Sequence, residues 1–145
     1  MKQTLASRRG ALVLVATLIV GAVVGIGADR ALFAQSTQPG GIKRTILLRA
    51  DEPGSTTHEA VMGIAEIPAN TNAGRHRHNG IEIGYVLEGS ITLEHEGQPT
   101  RTLKAGEAFK NDPGVHDAKN TSGKPVKILA VYLVEKGKPL AEPVP

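Results

Sequence analysis

The sequence predicts an all-β domain, a small sandwich or barrel, and three observations predict it. Between residues 42 and 136 the apolar residues come in short runs rather than at helical spacing. Turn-forming pairs break those runs: Asn79-Gly80, Glu88-Gly89, Glu96-Gly97 and Pro113-Gly114. No crossover helix fits between them, which disfavours βαβ units.

Taken in order, Thr45–Arg49 reads as a strand and His58–Ile67 as a second, longer one. Ile81–Leu87 follows and ends in the Glu88-Gly89 turn. Ile91–His95 pairs with Thr100–Leu103 across Glu96–Pro99, and Ala108–Lys110, Asp117–Lys119 and Val126–Val134 complete the set. Two of these runs are apolar on both faces. Ile81, Ile83, Tyr85 and Leu87 alternate with Glu82, Gly84 and Val86, and in Val126–Val134 only Lys127 is polar. Such runs signal burial on both sides. A small barrel has one interior, so the linker before it or a second copy must cover the outside. The sequence favours a homodimer.

The flanks read differently. Residues 1–10 carry Lys2, Arg8 and Arg9 without an acid, and residues 11–28 are uncharged up to Asp29-Arg30. A basic start, an apolar run and the small residue Ala34 are the parts of an export signal. Residues 1–34 are therefore expected to be a signal peptide or, if uncleaved, a membrane anchor helix. The apolar run sits at the short end of the ~17–25 residues that span a bilayer, so length leaves both open. Either way the domain is placed outside the cytoplasm, periplasmic, secreted or anchored facing outward. Any membrane contact runs through this segment alone. Ser7-Arg8-Arg9 partly resembles a twin-arginine signal, but Ala11 stands where a large apolar residue is expected. Residues 35–41 form a polar linker, 42–136 the barrel, and 137–145 a proline-rich tail, either a strap or a loose end.

Residues 1–34 hold four of the 17 basic side chains and one of the 14 acids, which leaves 13 of each. The basic overall charge thus belongs to the leader and implies no nucleic-acid partner. Tyr85, Phe109 and Tyr132 are the remaining aromatics, too few for base-stacking platforms. The chain has no cysteine, so the domain must fold on its apolar core, and thiolate metal sites are excluded.

Residues 74–89 read GRHRHNGIEIGYVLEG. His76 and His78 are two apart, which on a strand places both imidazoles on one face. Glu82, an even step further, shares that face if the Asn79-Gly80 turn keeps register. Arg75 and Arg77 alternate with the histidines and point away. Two imidazoles and a carboxylate suit iron, manganese, nickel, copper or zinc. Chance yields this spacing on the order of once in a hundred such chains.

HRHNGIEIGYVLEG matches the first cupin motif, H-x-H-x3-E-x6-G, ending at Gly89. GEAFKNDPGVHDAKN, opening at Gly106, resembles the second: a glycine, a Pro-Gly turn, then H-x3-N in His116 and Asn120. Over about residues 42–136 the chain is similar to small single-domain exported cupins. That resemblance implies a double-stranded β-helix, or jelly-roll, barrel. It also implies that His116 joins His76, His78 and Glu82 on one divalent transition metal, the only cofactor expected. The chain departs from the pattern twice. Asn70 stands where a glycine precedes the first histidine by six residues, and the second motif is one residue short, with Asp112 at its usual proline position.

Four protein donors leave an ion room for water, dioxygen or a substrate oxygen. The resemblance implies a dioxygenase-like oxidoreductase or an isomerase acting on a small oxygen-rich molecule, with Val86 and Phe109 lining its pocket. A non-catalytic module that binds or senses a small molecule or metal competes with that reading, and a dimeric scaffold is a third. The complete ligand set favours catalysis; the scarcity of candidate acids and bases favours binding. No catalytic residue can be named. His95, at a hairpin tip, and His58 read as solvated, Tyr85 and Tyr132 as packing residues, and Asp117 as pointing out of the barrel.

Overall fold

The computed structural model describes residues 35–37 and 41–145, with side chains from residue 41 onward. The expected signal or anchor helix over residues 1–34 lies outside the described residues. Every regular element among those described is a strand: β1 (Gln35–Thr37), β2 (Lys43–Asp51), β3 (His58–Ile67), β4 (Thr71–Asn72), β5 (His76–Arg77), β6 (Gly80–Glu88), β7 (Ser90–His95), β8 (Arg101–Lys104), β9 (Ala108–Asn111), β10 (His116–Asn120), β11 (Val126–Glu135) and β12 (Glu142–Pro143). All strands expected from the sequence form, within two residues at each end. The additional ones, β1, β4, β5 and β12, are two or three residues long, too short to show an apolar period.

One antiparallel sheet runs β1–β2–β3–β11–β6–β9, and the other β12–β5–β10–β7–β8, with β4 also paired to β10. The ladder between β3 and β11 is the longest, running from Val126 opposite Ile67 to Glu135 opposite His58. Alternation decides what it buries. Val61, Ala65 and Ile67 of β3 and Val126, Ile128, Ala130, Tyr132 and Val134 of β11 face inward. Ile91, Leu93, Leu103 and Ala118 of the second sheet meet them in one core. Burying each large aliphatic side chain contributes roughly 1.5–3 kcal/mol.

The opposite face of the first sheet is also apolar but stays open. Leu48, Ile83, Tyr85, Leu87 and Leu133 are between 41% and 56% exposed. The double-sided apolar pattern of β6 and β11 therefore does not mark two faces covered within one chain. From the segment expected as a linker, Gln35–Thr37 pairs with Lys43–Thr45 at the sheet edge.

Two motif positions acquire a structural meaning. Asn70 has a φ of 55°, the left-handed conformation that glycine otherwise supplies and that asparagine tolerates best among other residues. The substitution at that motif position thus keeps the backbone turn. Asn120 is fully buried and fully satisfied. Its Nδ2 donates to the Ile67, Pro68 and Lys124 carbonyls at 3.0, 2.9 and 2.8 Å. Its Oδ1 accepts from the Ser122 amide at 3.0 Å and hydroxyl at 2.7 Å. It staples the end of β10 to the turn after β3.

The tail is a strap. Glu142 and Pro143 pair opposite Arg77 and His76, the Val144 amide donates to the Arg75 carbonyl at 2.9 Å, and Ala141 is buried.

Candidate metal centre

Strand register converges the expected donors. His76 on β5 lies directly opposite His116 on β10, so both imidazoles leave the same face of that sheet. On β6, Glu82 lies between Tyr132 of β11 and Asn111 of β9, all on the inward face of the other sheet. His78, just before β6, completes the group. The shortened turn before His116 does not divert it. The donor nitrogens of His76, His78 and His116 lie within 4.8 Å of one another and all three residues are buried. Glu82 Oε2 lies 3.4 Å from His78 Nε2 and 3.5 Å from His116 Nε2.

Each imidazole has its Nδ1 turned to a backbone carbonyl: Gly74 at 2.7 Å for His76, Leu140 for His78, and Gly114 at 3.1 Å for His116. A carbonyl only accepts, so the ring proton sits on Nδ1 and the Nε2 lone pair faces the centre. His78 Nε2 and His116 Nε2 are buried and have no hydrogen-bond partner. Two orphaned lone pairs aimed at one point beside a carboxylate are what a divalent transition ion satisfies. Metal–nitrogen bonds of about 2.1 Å bridge nitrogens up to ~4.2 Å apart, so the rings need only small inward shifts. These three buried histidines could hold a metal ion, and the residues fit one.

Burial and the crowding of these side chains shift the titration of His76 and Glu82. Burial pushes His76 down to about 4, against its hydrogen bond to Gly74, and the neighbouring His116, His78 and Arg44 push it the same way. Burial pushes Glu82 upward, but the approach of His116 and His78 outweighs it and holds the carboxyl well below its usual range. Asn111 Nδ2 also donates to Glu82 Oε2, at 2.7 Å, and orients it.

Around the ligands the sequence reading needs several corrections. Arg75 and Arg77 do point away, to Glu96 and to Glu142. Phe109 lines the cavity beside the histidines, whereas Val86 is buried in the core and is not among its walls. Gly84 makes room for Phe109: a Cβ there would come within 2.1 Å of its ring. His95 is not a solvated tip residue. It is half-buried, and its ring stacks parallel to that of His116 with centroids 5.8 Å apart. Tyr132 packs in the core as expected, and its ring also lies 4.8 Å from that of His78 and lines the cavity. Burial pushes its hydroxyl upward and the Glu82 charge adds to that, so it stays protonated. Asp117 points away from the centre, where Asn72 Nδ2 donates to it at 3.2 Å. Its burial is the larger cause of a raised carboxyl.

Arg44, Asn111 and the Leu140 carbonyl went unrecognised in the sequence. Asn111 and Leu140 act through hydrogen bonds between segments far apart in the chain. Arg44 gave one faint signal: the only charge between Ile42 and Ile46 at the inward period of β2.

The family model of the cupin domain matches residues 63–132. The HTH-type transcriptional regulator PuuR of Escherichia coli is 38% identical over 66 residues, 45% of this chain and 35% of the regulator. The chain thus spans about a third of that relative's length. A predicted oxalate decarboxylase from Thermotoga maritima superposes with a TM-score of 0.53 at 26% identity, over 64% of this chain and 80% of that one. The polyketide cyclase RemF of Streptomyces resistomycificus shares the fold at a TM-score of 0.58 and 22% identity, over 83% and 85% of the two chains. With its central strands matched by the family model and its fold shared with both structures, the chain belongs to the cupin superfamily.

Proposed function

We propose that this cupin is a metal-dependent enzyme that works outside the cytoplasm on a small oxygen-rich molecule, as a dioxygenase-like oxidoreductase or an isomerase. His76, His78, Glu82 and His116 would hold one iron, manganese, nickel, copper or zinc ion. Once bound, such an ion supplies Lewis acidity or a site for dioxygen. The chain's own residues do the positioning. The carbonyls of Gly74, Gly114 and Leu140 fix the three imidazoles, Asn111 turns the Glu82 carboxylate, and Phe109 and Ile128 line the cavity with apolar surface. One observation carries the reading: buried, partnerless Nε2 atoms held in a single tautomer around a buried carboxylate. The likeness to a predicted oxalate decarboxylase supports a small oxygen-rich substrate. Export rests on the composition of residues 1–34.

Turnover of flavonols, diketones and oxalate by the iron-, manganese- and nickel-loaded protein tests the proposal. Conversion that disappears in His76→Ala supports it. Tight retention of such a molecule without conversion refutes it.

The likeness to PuuR favours a second reading, a sensing module that binds its ligand and does no chemistry. Ligand retention without turnover is the outcome it expects.

The open face of the first sheet supports pairing with a second copy. Across four strands its apolar residues lie in register: Leu48 opposite Met62, Met62 opposite Val131, and Val131 opposite Ile83. A face this apolar is more costly in water than against its own twin. Light scattering should give twice the chain mass, and Ile83→Lys should halve it. A wild-type monomer at micromolar concentration refutes the pairing.

A further inference from the structure

Arg44 is a charge in the wrong company. It is 6% exposed, on the inward face of β2 between Ile42 and Ile46. A buried guanidinium is tolerated when paired and costly when it is not. Arg49, Arg75 and Arg77 each hold a glutamate. Arg44 Nε and Nη1 are buried with no hydrogen-bond partner, and Arg44 takes part in no ion pair among the described residues.

The same side chain forms a wall of the cavity that His76, Glu82, Asn111, His116 and Tyr132 line. That cavity holds about 20 Å³, room for one or two water-sized groups. Tyr132 approaches both Arg44 and Glu82, but Glu82, the one acid in that lining, is held by Asn111 and forms no ion pair with Arg44.

We propose that Arg44 is the anion-recognition residue of this site, and that the molecule it receives is a small carboxylate. The guanidinium presents a planar set of donors that matches a carboxylate. A phosphate or sulfate group is bulkier and asks for more donors than one arginine among Phe109, Leu93 and Ile128 can give. In this arrangement the carboxylate group itself occupies that space, between Arg44 and the histidines. The inference rests on the enzyme reading above only in sharing its cavity.

Calorimetric titration of the full chain with formate, acetate and neutral acetamide, with and without bound nickel, tests it. Wild type should bind the carboxylates and not acetamide. Arg44→Met should weaken carboxylate binding at least tenfold while nickel affinity stays within twofold. The ligand-free variant should melt at or above wild type, because it loses an unpaired buried charge; a merely structural arginine would melt lower. Arg44→Gln serves the same comparison if Arg44→Met does not fold. Carboxylate affinity unchanged in the variant, acetamide binding as well as acetate, or no carboxylate binding to wild type in either state overturns the proposal. Failure to bind nickel, with Arg44-dependent carboxylate binding retained, would instead end the metal reading and leave this one standing.

Discussion

Ending the chain at Pro139 should weaken metal binding without touching any ligand. The removed segment supplies the Leu140 carbonyl that receives His78 Nδ1–H, and its residues Glu142 and Pro143 pair with β5. Glu142 also accepts from Arg77 Nε at 3.0 Å and from Asn79 Nδ2 at 2.7 Å, the residues flanking His78. Without the strap, the buried His78 N–H has no acceptor, which costs about 1–3 kcal/mol, and the ring is free to turn. Loss of such an outer partner typically lowers metal affinity about 10–100-fold.

The truncation also removes the buried Ala141 and the apolar contact of Leu140 with the core. The metal-free protein should therefore lose about 2–4 kcal/mol in all, on the order of 10 °C in melting temperature. Competition against a chelator measures affinity, and a thermal melt measures stability. Val61→Ala separates the two effects: Val61 is fully buried on β3, and its truncation costs about 2–3 kcal/mol with no bond to a histidine. That variant should melt lower yet keep its metal affinity. A folded, truncated chain that binds metal within twofold of the full one would refute the role of the strap.

Asn111→Leu should lower metal affinity about tenfold, because Glu82 loses the donor that orients it; the same chelator competition reads it. Asn120→Ala should destabilise by about 2–4 kcal/mol in denaturant titration, since it strips partners from buried groups on both sides of the turn. Gly84→Ala should cost about 1–3 kcal/mol by pressing on the Phe109 ring, and a melt unchanged from wild type would show that the ring moves freely.

The fold was legible wherever burial followed a period. β3 and β11 bury alternate residues over ten positions, and those residues are apolar, so the pattern marks both strands and their inward face. β5 and β12 are held by register with β10 and with each other, and two residues cannot carry a period. His76 and His78 were legible because even spacing in extended chain is a statement about one face, whereas Glu82 stands on β6 of the other sheet and meets them in the interior rather than along one strand. His116 lies beside His76 in the same sheet but far along the chain, and only resemblance connected it to them. Tyr132 sits in an apolar run and is core; that it also faces the site follows from its place opposite Glu82 in the β11–β6 ladder, a long-range fact. The open apolar face shows the reverse difficulty. Composition reports that a surface is apolar, and cannot report what covers it.

The distribution of unmet polar groups separates what holds this protein together from what it is built to do. Asn120 and its partners form a buried polar cluster in which every group is paired, as a purely structural element requires. Around the histidines the opposite holds. His78 Nε2, His116 Nε2, Asn111 Oδ1 and two nitrogens of Arg44 are buried without partners, and only Asp117 Oδ1 shares that condition elsewhere among the described residues. Each such atom costs roughly 1–3 kcal/mol, a large fraction of the stability of a small domain. A fold that satisfies its polar groups at the turn and leaves lone pairs and two guanidinium nitrogens unmet around the histidines is most incomplete there. The unmet lone pairs ask for a cation and the unmet guanidinium asks for an anion. Both are supplied if a metal ion and a carboxylate enter together.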